Sequence, residues 1–412
     1  MKCNSSVSLS HLSAVDFIPF RLYNDFIIFG RKLMNLSVSV LRQKYRRYGE
    51  YMWYAALILL LIPVYLGFCD TASLPLLKYA LLLGSLMGYC LLGLKIYFLD
   101  GRGPKELALF TGIFLLLGLG VVFSGTRALF SVFLLALGAR DVPFSRIAKL
   151  CLCFFLGVLA LNTLLVFAGV LEDTLIIRGE IWGRGNVRHT LGFGYPNTLA
   201  LWGMAAVFAA LLVFPRSFRG LALCLVFSLG LFALTDSKAA CFSQLAALFL
   251  CLLLRFLGPK LEGKKWVPWV CGGLVALAAF GFVALSLLYR EDSRIFGLLN
   301  TIFSQRLGYA NQGLRLFGIS LFGARVDFGW DPVDSLYAYG PICLGLVPSL
   351  LYLALAVFCA CRAAGQGKWE MVAVLLAASL YCTMEYGLIN PILVPVFGAC
   401  ARLSEAKGEQ KP

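Results

Sequence analysis

Charge is what this chain has least of. Asp, Glu, Lys and Arg make up only 14% of its 412 residues, and histidine occurs just twice, as His11 and His189. Soluble domains carry about 25% charged residues, so a water-exposed globular protein is excluded. Also missing are a Ser/Pro-rich linker, a repeat of fixed period and a pair of halves with matching interrupted helices. The missing linker argues for one membrane domain despite the length. The missing repeats argue against a solenoid and against a transporter built from internal repeats. Cysteine is plentiful, but its 14 copies lie nearly all within apolar runs. Cys151 with Cys153 and Cys359 with Cys361 stand too close for tetrahedral zinc, so the cysteines read as small core hydrophobes.

What is present is apolar: 60% hydrophobic residues and a mean hydropathy of +0.84. Windows near spanning length recur at 51–69, 77–96, 107–123, 125–139, 147–170, 197–214, 219–235, 239–257, 267–289, 336–360, 369–385 and 387–402. The expected fold is all-α, a polytopic membrane protein of about 12 transmembrane helices. The pair at 107–123 and 125–139 leaves only the tight turn Ser124-Gly125-Thr126-Arg127 between its members. No cleavable signal is expected, because the first run long enough to span begins near Tyr51. Residues 1–50 read as a cytoplasmic segment whose patch DFIPFRLYNDFIIFG forms an interfacial helix, 51–402 as the membrane domain and 403–412 as a cytoplasmic tail.

The formal charge of +15 reports topology rather than nucleic acid, since the basic residues cluster briefly between apolar runs. Threaded from a cytoplasmic N-terminus, 25 of the 36 Lys and Arg fall inside, the bias expected of cytoplasmic loops. Two long polar gaps, 171–196 and 290–335, then come out on the external face. Their arginines run against that bias and need another reason.

The stretch RGEIWGRGNVRHTLGFGYPN holds Arg178, Arg184, Arg188 and His189 between two apolar runs, and the second gap holds Arg290, Arg294, Arg306, Arg315 and Arg325. Arginine suits diphosphate because its planar fork donates several hydrogen bonds and keeps its charge. Two such loops on one face would clamp a phosphate-rich lipid head group from both sides, with Arg188 and Arg306 foremost; equally, these arginines would pair with loop carboxylates and order the loops. His189 is the most economical proton acceptor in its loop. Asp334 is either the N-cap of the helix that follows or a carboxylate that deprotonates a hydroxyl. Pro196-Asn197 suits the first turn of a helix. Glu385, Asp236 and Lys238 are solvated helix ends or line a cavity. Trp182, Trp330 and the nearby tyrosines fit an interfacial belt, or stack on sugar rings. Asp327, Asp331 and Asp334 form no recognised metal pattern, and neither a metal nor another cofactor is expected.

Four stretches together resemble a known family, the Wzy-type polysaccharide polymerases within the bacterial O-antigen ligase and polymerase superfamily. RHTLGFGYPN resembles the family's Arg-x-x-Leu-Gly-Phe-x-x-Pro-Asn stretch, TDSKAA its small Ser-Arg turn, SQRLGYANQGLRLFG its second arginine loop and DSLYAYGPICLGLV its Asp-x-x-Tyr helix start. Lys238 stands where the family often has arginine, and Ser335 where asparagine commonly follows the aspartate. The resemblance implies a C-type glycosyltransferase-like helical fold and an undecaprenyl-diphosphate-linked oligosaccharide substrate. It further implies growth of a capsular, exopolysaccharide or O-antigen chain at the outer face of the bacterial cytoplasmic membrane. Catalysis would fall to Arg188, His189, Arg306 and Asp334, and substrate binding to Arg178, Arg184, Asn197, Arg315 and Tyr337. A flippase and a chain-length regulator are the implied protein partners beside the lipid bilayer. The rival readings are a ligase that moves a finished glycan to another acceptor, and a flippase for the same lipid-linked substrate.

Overall fold

The computed structural model describes residues 48–69, 75–178, 186–215, 217–328 and 333–402. The expected interfacial helix, Arg184, Trp182, Trp330, Asp331 and the tail at 403–412 lie outside these residues.

Helices dominate because backbone amides and carbonyls in an apolar medium must pair within their own segment. Among the described residues, nine helices are long and apolar enough to cross a membrane. They are α1 (Tyr48–Gly67), α2 (Pro75–Leu94), extended by a π turn to Leu99, α3 (Pro104–Ser124), α5 (Phe144–Phe167), α6 (Pro196–Val213), α7 (Phe218–Thr235), α8 (Lys238–Leu261), α9 (Val267–Leu288) and α13 (Leu346–Gly365). Most turn apolar side chains outward, as Leu115, Val122, Leu164, Phe167, Leu223, Val226, Phe249 and Leu277 do. An apolar girdle of this extent has no place in water, and the chain is a multi-pass membrane protein.

Three of the expected windows give no helix of spanning length, and a fourth, 336–360, spans only from Leu346. α4 (Ala128–Gly138) has 11 residues and α14 (Trp369–Cys382) has 14. At 1.5 Å per residue these reach roughly 17 and 21 Å, against about 30 Å of hydrocarbon. Window 387–402 opens with two short 3-10 turns and ends in α15 (Val394–Arg402). Protein rather than lipid surrounds these pieces: α4 is buried at Leu129, Phe133, Leu134 and Leu135, and α14 along nearly its whole length. α6 is likewise apolar all round, with 78% of its spanning window buried where the other spans reach at most 39%. It forms the central post, and α5, α7 and α8 pack against it.

The two long gaps are not simple loops. The first carries a hairpin, β1 (Ile176–Arg178) and β2 (Asn186–Arg188), in antiparallel register with Ile176 opposite Arg188. The second carries α10 (Arg294–Ile302) and α11 (Arg306–Phe317). An extended stretch then returns along the four-residue α12 (Leu336–Tyr339) and its π turn. The Ser320 and Ala324 amides donate to the Pro341 and Cys343 carbonyls, and the Leu346 and Val347 amides donate back to Ser320 and Leu321. Gly345 is required here. Its φ is +100°, and a Cβ would lie 2.4 Å from the Phe322 carbonyl carbon, so any side chain would be both strained and in collision with backbone.

Candidate active site

The C-terminal ends of α1, α7 and α14, the N-terminal ends of α6 and α8, the hairpin and the start of α11 all gather at one end of the bundle. They enclose a cleft of about 720 Å³ lined by Arg188, Asn197, Lys238, Arg306, Asp334 and Glu385 among others.

Strand alternation decides which residue of β2 enters it. Successive side chains of an extended chain point to opposite faces, so Val187 stays exposed while Arg188 is buried. β2 docks on the end of α7: Arg188 Nε donates to the Thr235 carbonyl at 2.6 Å, and the His189 amide donates to Leu234 at 2.8 Å. A second Arg188 nitrogen donates to Asn197 Oδ1 at 2.6 Å. α6 starts with Pro196 in its first turn, as the sequence suggested, and this holds Asn197 at the cleft. Its amide then donates to Glu385 Oε1 at 2.9 Å.

Glu385 also receives Arg306, whose terminal nitrogen lies 2.7 Å from Oε1. The same nitrogen lies 3.2 Å from Asp334 Oδ2, and Arg306 Nε donates to the Met384 carbonyl at 2.7 Å. Five side chains from distant segments therefore form one line: Arg188, Asn197, Glu385, Arg306, Asp334. The turn before Arg306 is strained to deliver it, since Ser304 and Gln305 both adopt positive φ, 51° and 71°. Asp236, also lining the cleft, does the same at 45°. Strain of this kind in non-glycine residues costs about 1–3 kcal/mol each and concentrates at functional sites.

Burial disfavours charge on both carboxyls. It raises Glu385 to about 7, against the opposing pull of Arg306. It raises Asp334 as well, again opposed by Arg306. Around the cleft stand the cations Arg188, Lys238 and Arg306 and the carboxyls Asp236, Asp334 and Glu385. Among the described residues no group of three His, Cys, Asp or Glu is placed to hold a metal ion. The arrangement can bind an oxyanion through fixed guanidinium groups and accept a proton nearby.

Of the residues singled out in the sequence, Arg188, Asn197, Arg306 and Asp334 meet here. Asp334 is not a helix cap: Ser335 precedes α12, and Asp334 turns to Arg306 instead. His189 faces the other way, as alternation after Arg188 requires. Its Nδ1 lies 2.6 Å from Asp173 Oδ2, while Asp173 Oδ1 accepts from the Thr190 and Leu191 amides, both at 2.9 Å. Burial works against charge on Asp173, but His189 and the two amides outweigh it and hold the carboxyl below its ordinary range. His189 thus anchors the hairpin base and does not line the cleft. Tyr337 lies beneath the site with its hydroxyl donating to the Ser379 carbonyl at 3.2 Å, and Arg315 borders a different cavity. Arg178 belongs to β1, and Arg184 falls outside the described residues.

Of the two readings the sequence left open for Glu385, Asp236 and Lys238, solvated helix ends or a cavity lining, the structure gives the second, since all three line the cleft. The signal for Glu385 was a lone carboxylate at the end of an apolar run, which a solvated helix end shares. No protein-family model matches the chain, and no curated protein or solved structure matches it.

Proposed function

We propose that the protein is a membrane glycosyltransferase that joins oligosaccharide units carried on a lipid diphosphate, a polysaccharide polymerase of the Wzy type. The observation that carries this reading is the meeting of Arg188 and Arg306, from two separate gaps, in one cleft beside two carboxyls of raised pKa. In the reaction, an acceptor hydroxyl oxygen attacks the anomeric carbon as the bond from that carbon to the diphosphate oxygen breaks. The electron pair of that bond leaves on the lipid diphosphate, where Arg188 and Arg306 stabilise it. The hydroxyl proton passes to a carboxylate. Asp334 suits this task best. Among the described residues only its Oδ2 is paired, to Arg306, and a quarter of its side chain is exposed. Glu385 holds both arginines in register, directly at Arg306 and through Asn197 at Arg188.

This reading takes the chain to cross a bacterial cytoplasmic membrane twelve times, with α4, α14 and 387–402 as short crossings sheltered by protein, in a C-type glycosyltransferase-like arrangement with the cleft outside. Support comes from the alternation of helix ends. Glu50 at the start of α1 pairs with Arg146 at the start of α5 at 2.6 Å, opposite the ends that line the cleft. The donor is an undecaprenyl-diphosphate-linked oligosaccharide, and a flippase and a chain-length regulator are working partners.

Reconstitution with a lipid-linked repeat unit tests the reading. A glycan ladder on a gel supports polymerisation, and one transfer to a different acceptor supports a ligase. Movement of the lipid across the bilayer without a new glycosidic bond would overturn both.

A further inference from the structure

α11 separates two hollows. Arg306 and Tyr309 border the cleft, while Gly308, Asn311, Gln312 and Arg315 border a second cavity of about 380 Å³ on the other flank of the helix. Gln305 and Tyr309 line both, so the hollows adjoin across one helical turn.

Their chemistry differs. The second cavity is walled by four carboxamides, Asn300, Gln305, Asn311 and Gln312, and two tyrosines, Tyr289 and Tyr309, with one cation, Arg315, offset by Glu291. A phosphate site would concentrate cations. A lipid-chain groove would be apolar, as is the smaller hollow of about 120 Å³ lined by Ala279, Val283, Leu344 and Leu353. A carboxamide offers two donors and an acceptor side by side, which matches neighbouring ring hydroxyls that both give and receive. A tyrosine adds an apolar ring face with a polar tip, which matches the C–H face of a pyranose.

Part of the wall is fixed in advance. Asn300 Nδ2 donates to Gln305 Oε1 at 2.6 Å and to the Tyr289 hydroxyl at 3.2 Å, and Asn300 Oδ1 accepts from the Gly308 amide at 3.0 Å. Gly308 leaves room for that amide, since a Cβ there would lie 3.3 Å from Asn300 Nδ2. Asn311, itself buried, donates to the Ser286 carbonyl at 2.7 Å, which leaves its side-chain oxygen without a partner among the described residues. Gln312 and Arg315 likewise form no hydrogen bond or ion pair among them.

We propose that this second cavity is a saccharide-binding subsite, in which a sugar chain that reaches the cleft past Gln305 and Tyr309 is held by carboxamides and tyrosine rings. It rests on the glycosyl-transfer reading only in taking that chain to be the protein's own glycan.

The test is photo-crosslinking in cells that make the glycan, with p-benzoylphenylalanine in place of Gln312, whose side chain is exposed. A second position replaces Ser304, which lines the cleft, and a control replaces Leu277, exposed on α9. The expected result is a mobility-shifted band that stains for carbohydrate from positions 312 and 304 and none from 277. If one substituted chain fails to accumulate, Arg315 serves as the alternative position. Carbohydrate at 304 with none at 312 or 315, or a protein or lipid adduct there, overturns the subsite and leaves the cleft standing. No carbohydrate at any position overturns both.

Discussion

Two clusters of charge sit at opposite ends of the helix bundle, and they behave as opposites. At the end away from the cleft, Lys95 lies 2.5 Å from Asp100, and Arg102 bonds to Asp100 at 3.2 Å and to Glu106 at 2.5 Å. Lys95 also donates to the Arg140 carbonyl at 2.8 Å, and Arg102 caps the Leu137 carbonyl and covers the Phe110 ring. Lys95 and Asp100 are each about 2% exposed. This cluster ties α2, α3 and α4 together. At the cleft the ratio is inverted: one Arg306 nitrogen serves two carboxylates, and the hollow beside it holds a ligand-sized volume. Charge sealed among helices holds them together; charge that lines an opening is available to a substrate.

Substitutions can break that contrast. The largest effect is expected at the cleft, where Arg306→Ala lowers transfer in the reconstituted assay by about 10²–10³-fold, the usual loss of one donor to a developing oxyanion, and costs less stability than a break in the sealed cluster. Arg306→Lys restores only part, since the bidentate fork is gone. Next comes the sealed cluster. Asp100→Asn leaves Lys95 and Arg102 buried without their shared carboxylate and costs about 3–5 kcal/mol of stability, seen as a lower melting temperature in detergent with near-normal turnover per folded molecule. A loss of turnover without a loss of stability would reverse the assignment of roles.

Glu385 sharpens the comparison through pH. Its carboxyl titrates near 7 in the folded protein, so below that pH it is neutral and releases Arg306, and above it the carboxylate competes for the arginine. Binding of inorganic pyrophosphate, followed by calorimetry, is expected to weaken as pH rises from about 6 to 8, by no more than tenfold per unit for one proton. Glu385→Gln flattens the profile. The stability sign is the same: a folded pKa above the unfolded value of 4.5 gives a contribution complete below about 4.5 and lost as pH climbs through 7. The smallest effect is expected at His189, where His189→Ala changes transfer less than about threefold and stability by about 1 kcal/mol, the worth of one hydrogen bond. A loss of transfer comparable to Arg306→Ala would return His189 to the chemistry.

The spans from α1 to α3 and from α5 to α9 were legible because lipid fixes a minimum apolar length. The shortness of α4 and α14 was not legible, because a helix surrounded by other helices carries the same apolar composition as one surrounded by lipid. Arg188, Arg306 and Asp334 stood out as charge on an apolar background. The direction of His189 did not, since it depends on hairpin register and on Asp173. The weight on Glu385 was hidden for a related reason: its partner Asn197 lies 188 positions away, and nothing local marks a residue whose meaning is completed so far along the chain.

That separation has a consequence for how the protein is made. Ribosomes add about 5–20 residues per second, so once Asn197 and Arg188 have been synthesised, roughly 10–40 s pass before Glu385 exists. During biogenesis the central post α6 and the preceding hairpin must therefore be made while Asn197 and Arg188 still lack the acid that will join them to Arg306. A chain halted before residue 385 would lack the carboxyl that joins Asn197 to Arg306, and synthesis of Glu385 would be the event that allows the site to close.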